Sequence, residues 1–279
     1  MKKVGFIDYY LNEWHADNYP TWLKEASNGE YQVQYCWGEI DCPRVGGLTN
    51  AEWAEKNGIV LCSSQEEVIE KSDVLVVLAP DNPETHERLC RLPLMSGKRT
   101  YVDKTFAPDS ETAKRIFEIA EQHNTPCITT SALRFADEYR DLDINKITGI
   151  ASVGSGDFDI YCIHQIEPIV MLLGTNVEWI QAVSVGNLNT FLLQYYNGVT
   201  VSISCINPGS PFQMSFNFSD NTSKMMTVES DIFKNMMLAL VHFFETGEEI
   251  VPHEETLAVM RIREKIVEAY KHPGQRIPI

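Results

Sequence analysis

The chain has 279 residues, of which 44% are apolar, and a formal net charge of −16 at pH 7. This length predicts two domains or one large one, with enough apolar material for a core. The strong negative charge argues against nucleic acid or an anionic membrane surface as a partner. No apolar stretch approaches the ~20 residues that a membrane-spanning helix requires, so we expect no membrane partner.

The start of the chain and its cysteines indicate a cytoplasmic protein. The opening sequence MKKVGFIDYY meets a charge at Asp8 before any long apolar run, which is not the pattern of a signal peptide. The seven cysteines are scattered, odd in number, and contain no C-x-x-C pair. This usage is typical of a reduced cytosol rather than of a disulfide framework or a zinc site. We expect no metal centre.

Short apolar runs alternate with helical patterns through the first half of the chain. We predict strands at residues 3–7, 31–37, 59–62, 74–79, from 101 onward, and 127–130. We predict helices at residues 14–26, 51–57, 65–71, 84–95 and 112–123. Pro93 should end or kink the fourth of these helices. The alternation predicts an α/β protein whose first domain, residues 1–131, is a Rossmann-like, doubly wound parallel sheet.

The hydrophobic pattern changes to period two in the second half. We predict strands at residues 146–153, 191–196, 199–205 and 212–218, with Asn197-Gly198 as a two-residue hairpin turn. We predict helices around His164 and at residues 232–245 and 254–271. This half therefore predicts an α+β domain, residues 132–279, with an open and mostly antiparallel sheet.

One face of the predicted second sheet carries polar side chains without a single charge. Its members are Thr200, Ser202, Ser204, Gln213, Ser215 and Asn217. A solvent-facing surface in so acidic a chain should show charges, so an interface between subunits is favoured over an ordinary wet sheet. We expect a homodimer or homotetramer formed through this sheet.

Asp103 and Lys104 directly follow a predicted strand of the first domain. In open α/β sheets, ligands bind at the carboxyl ends of the parallel strands. A lysine at this edge can donate hydrogen bonds to a ligand and stabilise developing negative charge. Lys104 is therefore the first candidate for a functional residue.

Several segments resemble the Gfo/Idh/MocA family of oxidoreductases. The sequences A-P-D-N-P-x-x-H at residues 79–86, S-G-K at 96–98 and V-D-K-T at 102–105 are similar to the family patterns P-N-x-x-H, A-G-K-H-V and E-K-P. The segment S-A-L-R-F at residues 131–135 and the closing H-P-G-Q-R-I-P-I also fit. The resemblance implies an enzyme that uses NAD or NADP and acts by hydride transfer on a sugar, polyol or related small hydroxy compound.

The resemblance also implies residues for the reaction. Lys104 and His164, which is placed by counting back from Gly174, would exchange a proton with a substrate hydroxyl. Tyr161 is a further candidate acid or orienting group. The family carboxylate expected four residues before the histidine falls on a different residue type here, and Asp159 lies one position away. On a helix, one position turns a side chain by about 100°.

The cofactor-binding residues follow from the same resemblance. Those at the turn after the first strand and at the ends of the later strands are Asp8, Tyr9, Tyr10, Glu39, Pro80, Asn82, His86, Asp103 and Lys104. Glu39, with Asp41 as an alternative, would bind the adenosine ribose hydroxyls, and Asn82 would lie near the nicotinamide ribose. His86 can instead fix the helix that follows Pro80.

Two positions depart from the family pattern. The first turn, residues 8–13, lacks the glycines of G-x-G-x-x-G, so Asp8 and Glu13 place side chains where phosphate oxygens would lie. That repulsion costs about 1 kcal/mol in water and several times more in a dry cleft, although Asp8 can also simply cap the first helix. Thr105 replaces a proline whose peptide bond is usually cis. Because a cis bond before a non-proline residue costs about 3–4 kcal/mol, we predict a trans Lys104–Thr105 bond.

Two functions are compatible with these residues, and we predict the first of them. The first is an NAD(P)-dependent oxidoreductase, which the presence of Lys104, His164 and Asn82 favours. The second is a cofactor-free descendant that binds a small ligand or partners a true enzyme, which the altered turn favours. The sequence does not separate NAD from NADP.

Overall fold

The computed structural model describes residues 1–206 and 209–279, and the chain divides into two compact units. The first unit contains Met1–Thr130 and Phe233–His253, and the second contains Ser131–Ile232 and Glu254–Ile279. This division differs from the predicted one chiefly by the segment Phe233–His253, which returns to the first unit.

The first unit is built on a parallel sheet flanked by helices. In chain order, its elements before the returning segment are β1 Lys2–Asp8, α1 Trp14–Ala26, β2 Tyr31–Gly38, α2 Asn50–Asn57, β3 Val60–Leu61, α3 Gln65–Lys71, β4 Val74–Val77, α4 His86–Met95, β5 Thr100–Val102, α5 Ser110–Gln122 and β6 Cys127–Ile128. The sheet order is β3-β2-β1-β4-β5-β6, and each neighbouring pair is parallel. The predicted doubly wound sheet is confirmed. Its strand order reverses between β1 and β4, which is where such sheets bind ligands.

Strand β4 lies between β1 and β5 in this sheet, and its four residues are all buried. It is shorter than predicted because the backbone of Ala79 adopts a positive φ of 76° and leaves the sheet. A short 3-10 turn at Pro83–Thr85 then leads into α4. Pro93 lies inside α4 and the helix continues to Met95, so this proline does not end it.

The returning segment contains helix α7, Ile232–Thr246, except for its first residue. The ring of Phe244 stacks on Tyr31 with 5.8 Å between centroids. The Arg99 guanidinium donates to the Phe244 carbonyl at 2.6 Å. Tyr31 is the first residue of β2 and Arg99 directly precedes β5, so both contacts join the segment to the first unit.

The second unit is an open sheet with helices. Its elements are β7 Ile147–Ser155, α6 Phe158–Leu173, β8 Val177–Ser184, β9 Asn189–Tyr195, β10 Thr200–Ile206, β11 Gln213–Phe218, β12 Ser223–Thr227, α8 His253–Lys271 and β13 Arg276–Pro278. The sheet order is β12-β11-β7-β10-β9-β8-β13. The β7–β10 pair is parallel and the other pairs are antiparallel, so the mostly antiparallel sheet is confirmed.

The period-two pattern places apolar side chains on one face of this sheet. Val201, Ile203 and Cys205 of β10 are buried, and the residues between them are half-buried or exposed. The predicted hairpin turn at Asn197-Gly198 joins β9 to β10, with the glycine at a φ of 90°. Sequence patterning missed β8, β12 and β13, because β8 mixes polar and apolar residues irregularly and the other two are short edge strands.

In the described part of the chain, residues 1–206 and 209–279, no helix is both long and apolar enough to cross a membrane.

Gly5, in the middle of β1, lies against buried side chains around the end of α3. A methyl group on Gly5 would come within 2.3 Å of Ser72 Oγ and 2.6 Å of Val68 Cγ1. We therefore expect Gly5→Ala to lower the free energy of unfolding by about 1–3 kcal/mol, because a packed interior tolerates added volume poorly. Urea unfolding followed by circular dichroism measures this change.

Gly149→Ala in β7 is the matched control, since the nearest of the atoms around its added methyl is the Thr200 carbonyl oxygen at 3.5 Å. That change should alter the free energy of unfolding by less than about 1 kcal/mol. Equal losses in the two variants would show that the close approach at Gly5 does not limit packing.

Candidate ligand site

Two strands of the first unit, β1 and β5, end at the same edge of the parallel sheet. Strand β1 ends at Asp8, and β5 is followed by Asp103 and Lys104. The exposed fractions of these three residues are 1%, 0% and 9%. Because the carboxyl ends of parallel strands lie along the same edge, charged groups are concentrated where such sheets bind ligands.

Asp103 is the centre of a buried hydrogen-bond network. Its Oδ1 accepts from the Tyr101 hydroxyl at 2.7 Å and from the Tyr19 hydroxyl at 3.1 Å, and its Oδ2 lies 3.7 Å from His15 Nε2. Burial and the Asp103 charge hold the pKa of Tyr19 well above its ordinary value, so that hydroxyl stays a donor. Sequence reasoning missed both tyrosines. Their spacing could have identified them, because Tyr101 lies two residues before Asp103, which is the spacing along one face of a strand, and Tyr19 lies one helical turn after His15.

Glu13 is the N-cap residue of α1. Its Oε2 accepts from the backbone N–H of His15 at 2.8 Å, and its Oε1 accepts from the backbone N–H of Ala16. The carboxylate is 6% exposed. Asp8 was the sequence candidate for this cap, and that expectation is wrong. Glu13 is closer along the chain to the first free amides of the helix and therefore reaches them.

His15 links this cap to Asp103. Its Nδ1 lies 3.0 Å from Glu13 Oε2, and its Nε2 faces Asp103. Burial opposes a charge on the ring, but Asp103 and the hydrogen bond to Glu13 outweigh it and raise the pKa of His15. The imidazolium form can therefore bridge two carboxylates.

Asp8 lies in the same buried environment. Burial and the nearby Glu13 charge hold the pKa of its carboxyl well above the ordinary value. The Tyr9 N–H donates to Oδ1 at 2.6 Å, and within the described residues Oδ2 has no hydrogen-bond partner. The rings of Tyr9 and Tyr10 are 5.9 Å apart and only partly buried. These tyrosines can line a ligand site at this edge.

Lys104 is the cation of this edge. Its Nζ lies 4.0 Å from the Asp81 carboxylate, which is largely exposed. The Lys104–Thr105 peptide bond is cis, so the predicted trans bond is wrong. The prediction used the local preference of an isolated peptide, whereas Asp103, Lys104, Thr105 and Phe106 are all buried in tertiary contacts that decide the conformation.

The two acids predicted for the adenosine ribose are bound to the protein itself. Glu39 accepts from Arg88, with its carboxylate 2.9 Å from Nε and 2.6 Å from Nη2. Asp41 accepts from the Asn50 N–H at 2.7 Å, at the start of α2. Both Glu39 oxygens therefore bind Arg88, whereas Asp41 uses only its Oδ1.

The remaining candidates follow β4. Pro80 is buried, and the Asn82 amide donates to Glu84 at 3.1 Å. His86 is fully buried, with Nδ1 3.0 Å from the Phe106 carbonyl and Nε2 2.5 Å from the Leu78 carbonyl. The histidine thus ties the segment after Lys104 to the end of β4, which is a structural role.

In the second unit, α6 carries the other predicted residues. His164 Nδ1 lies 2.7 Å from Ser131 Oγ, and the ring of the half-exposed Tyr161 lies 5.5 Å from the His164 ring. Asp159 instead pairs with Arg263 of α8 at 2.8 Å. Ser131 was missed as a partner of His164, although it belongs to the segment that carried the family resemblance.

One turn beyond His164, Glu167 belongs to a buried ion cluster. Arg134 Nη1 lies 3.4 Å from Glu167 Oε2, and its Nη2 donates to Glu255. Burial raises the pKa of Glu167 to about 7, although Arg134 opposes this shift. Sequence reasoning missed Arg134 as the partner of Glu167.

The fold of the chain is similar to that of several solved dehydrogenases. The NAD(H)- and scyllo-inositol-bound scyllo-inositol dehydrogenase from Lactobacillus casei is similar, with a TM-score of 0.79 and 14% identity over 99% of this chain and 98% of that one. The myo-inositol 2-dehydrogenase from Lactobacillus plantarum gives a TM-score of 0.78 and 13% identity over 100% and 99% of the two chains. GenD2 from gentamicin A biosynthesis, in complex with NAD, gives a TM-score of 0.80 and 10% identity over 100% of this chain and 97% of that one.

No protein-family model matches the chain, and no curated protein matches it significantly in sequence. The similarity to solved structures therefore establishes the fold, and the function has to be argued from the site.

The fold implies a nicotinamide dinucleotide, and the residues at the sheet edge do not fit it in the standard pose. That pose lays the pyrophosphate on the free amides at the N-terminus of the first helix and the ribose on an acid after the second strand. Here Glu13 occupies two of those amides, and Arg88 occupies Glu39. The lysine is present, but the protein's own side chains already bind these helix amides and the Glu39 carboxylate.

The pKa of Glu167 predicts a pH-dependent stability. Because its folded-state value of about 7 lies above the ordinary 4.5, the protonated carboxyl stabilises the fold. This contribution is fully present below about pH 4.5 and is lost as the pH rises through about 7. It amounts to roughly 3 kcal/mol at 1.36 kcal/mol per pKa unit. We expect Glu167→Gln to remove this part of the pH dependence in urea unfolding measured from acid to neutral pH.

Glu254→Gln removes an equal charge from an exposed neighbour on α8 and should leave the pH dependence unchanged. The assignment fails if the pH profiles of wild type and Glu167→Gln are parallel.

Proposed function

We propose that this protein binds a sugar, polyol or related small hydroxy compound at the carboxyl edge of its first sheet, without a dinucleotide in the standard pose. The main support is that Lys104 is present at this edge while the Glu13 carboxylate already accepts from the first amides of α1. The protein would be a cofactor-free descendant of an oxidoreductase of the Gfo/Idh/MocA type. The inositol dehydrogenases that share its fold indicate the ligand class to test first.

The chemistry of the edge suits a neutral, hydroxyl-rich ligand. An ammonium donates charge-assisted hydrogen bonds to hydroxyl oxygens, and carboxylates accept from hydroxyl protons. Lys104 supplies the first group, and the exposed Asp81, 4.0 Å from it, supplies the second. His164 of the second unit enters the proposal separately, through the resemblance of its helix to the family pattern, as a candidate proton donor or acceptor.

The second candidate is an NAD(P)-dependent oxidoreductase that transfers hydride to or from such a compound. Two observations favour it: Lys104 follows β5 as the family pattern requires, and several proteins of this fold are dehydrogenases. Titration with NADH and NADPH, followed by fluorescence and thermal shift, separates the candidates. Stabilisation at micromolar cofactor would establish the oxidoreductase, and none at millimolar cofactor is the result that we expect.

We further propose a homodimer or homotetramer formed through the open face of the second sheet. Ser202 pairs in register with Leu192 and Ala151, and Ala151 pairs with Ser215. These four residues form an uncharged row across four strands and are exposed or half-buried. An uncharged face of this width in a chain with a net charge of −16 supports an interface.

Lys104→Met is expected to weaken ligand binding by at least roughly tenfold. The variant keeps the length of the side chain and removes a charge-assisted hydrogen bond worth about 1.5–3 kcal/mol. Thermal shift and calorimetric titration with scyllo-inositol and myo-inositol measure the effect. Lys114→Met, at an exposed position on α5, is the control and should bind as wild type does. Unchanged affinity in Lys104→Met would refute the role of this lysine.

For the oligomer, we expect wild type to sediment as a dimer or tetramer and Ser202→Glu to sediment as a monomer, because a buried unpaired charge is costly. Thr21→Glu, at an exposed position on α1, should not change the sedimentation. A monomeric wild type would rule out this interface.

A further inference from the structure

We propose that Glu13 is a specificity-determining residue that keeps phosphate-bearing ligands away from the sheet edge, so that the site accepts an uncharged polyhydroxy compound. The choice of accepted ligand rests on the proposed function. The exclusion of phosphate rests on the geometry of α1 alone and can be tested separately.

The first argument is occupancy. A helix N-terminus attracts anions because its first N–H groups lack intrahelical acceptors and carry partial positive charge. In this chain the N–H groups of His15 and Ala16 already donate to the Glu13 carboxylate. The carboxylate is covalently attached next to the helix and 6% exposed, so a phosphate must displace it rather than fill an empty site.

The second argument is that other groups hold Glu13 in place. His15 Nδ1 lies 3.0 Å from Glu13 Oε2, and the imidazole is drawn toward its charged form by Asp103 on its other side. The carboxylate thus has a helix terminus and the His15 imidazole as partners. Removing it from both would cost more than breaking an isolated surface cap, because charged groups with hydrogen bonds in a buried site are strongly held.

The third argument is charge. A phosphate at this terminus would meet the carboxylate of Glu13, and Asp103 lies just beyond His15. Two negative charges about 4 Å apart repel by about 4 kcal/mol at an effective dielectric constant near 20. An uncharged polyol meets no such repulsion. The sheet edge therefore favours uncharged ligands over phosphates, whereas a glycine-rich turn favours phosphates.

The decisive probe is ADP, which carries a pyrophosphate and a ribose but no nicotinamide. Wild type, Glu13→Gly and Glu13→Gln are titrated with ADP at constant ionic strength, with thermal shift and calorimetry as readouts and circular dichroism as a check of folding. We expect no binding to wild type at millimolar ADP. We expect at least a tenfold gain in affinity for Glu13→Gly, because glycine frees both amides and removes the charge.

Glu13→Gln covers the case in which the glycine variant does not fold. Its amide keeps one accepting oxygen and no charge, so the helix keeps a cap and a smaller gain in ADP affinity is expected. Glu25→Gln, at the exposed opposite end of α1, removes the same charge and should gain nothing. Equal ADP affinity in wild type and both Glu13 variants would overturn the inference.

The inositol titrations of the wild type separate this inference from the proposed function. If wild type binds no polyol but the Glu13 variants gain ADP binding, the proposed ligand is wrong and the exclusion of phosphate stands. If wild type binds a polyol and the Glu13 variants gain nothing, the proposed function stands and Glu13 is only a helix cap.

Discussion

The contact on which the site depends is the one between the Glu13 carboxylate and the first amides of α1. It satisfies donors that a helix would otherwise expose to water or to a ligand. It also places a negative charge beside His15, which stabilises the imidazolium that faces Asp103. One side chain therefore determines both how α1 begins and which charges line the adjacent sheet edge.

Buried charge is handled differently in the two units. At the edge of the first sheet, Asp8 avoids the cost of burial through a raised pKa, while Asp103 is compensated by two hydroxyl donors and a histidine. In the second unit, Arg134 is shared between Glu167 and Glu255. Desolvation of an unpaired charge would cost several kcal/mol, so each cluster follows the rule that buried charges are neutralised or paired.

The sequence was sufficient for the fold, but not for the contacts among the charged residues at the edge of the first sheet. Helix α1 has the predicted limits and the parallel sheet has the predicted form, because strong periodicity reflects burial. The cis bond at Lys104, the pairing of Glu39 with Arg88 and the cap by Glu13 rather than Asp8 depend on neighbours brought together by tertiary structure. Tyr19 and Tyr101 were missed for the same reason, since aromatic residues at these spacings are usually only core.

The return of Phe233–His253 to the first unit makes that unit discontinuous along the polypeptide. During synthesis, the parallel sheet emerges from the ribosome long before the helix whose Phe244 stacks on Tyr31. The contact between Phe244 and Tyr31 can therefore form only after Ser131–Ile232 of the second unit have been translated. Partly folded chains with exposed apolar surface are prone to aggregation and are the species that chaperones bind.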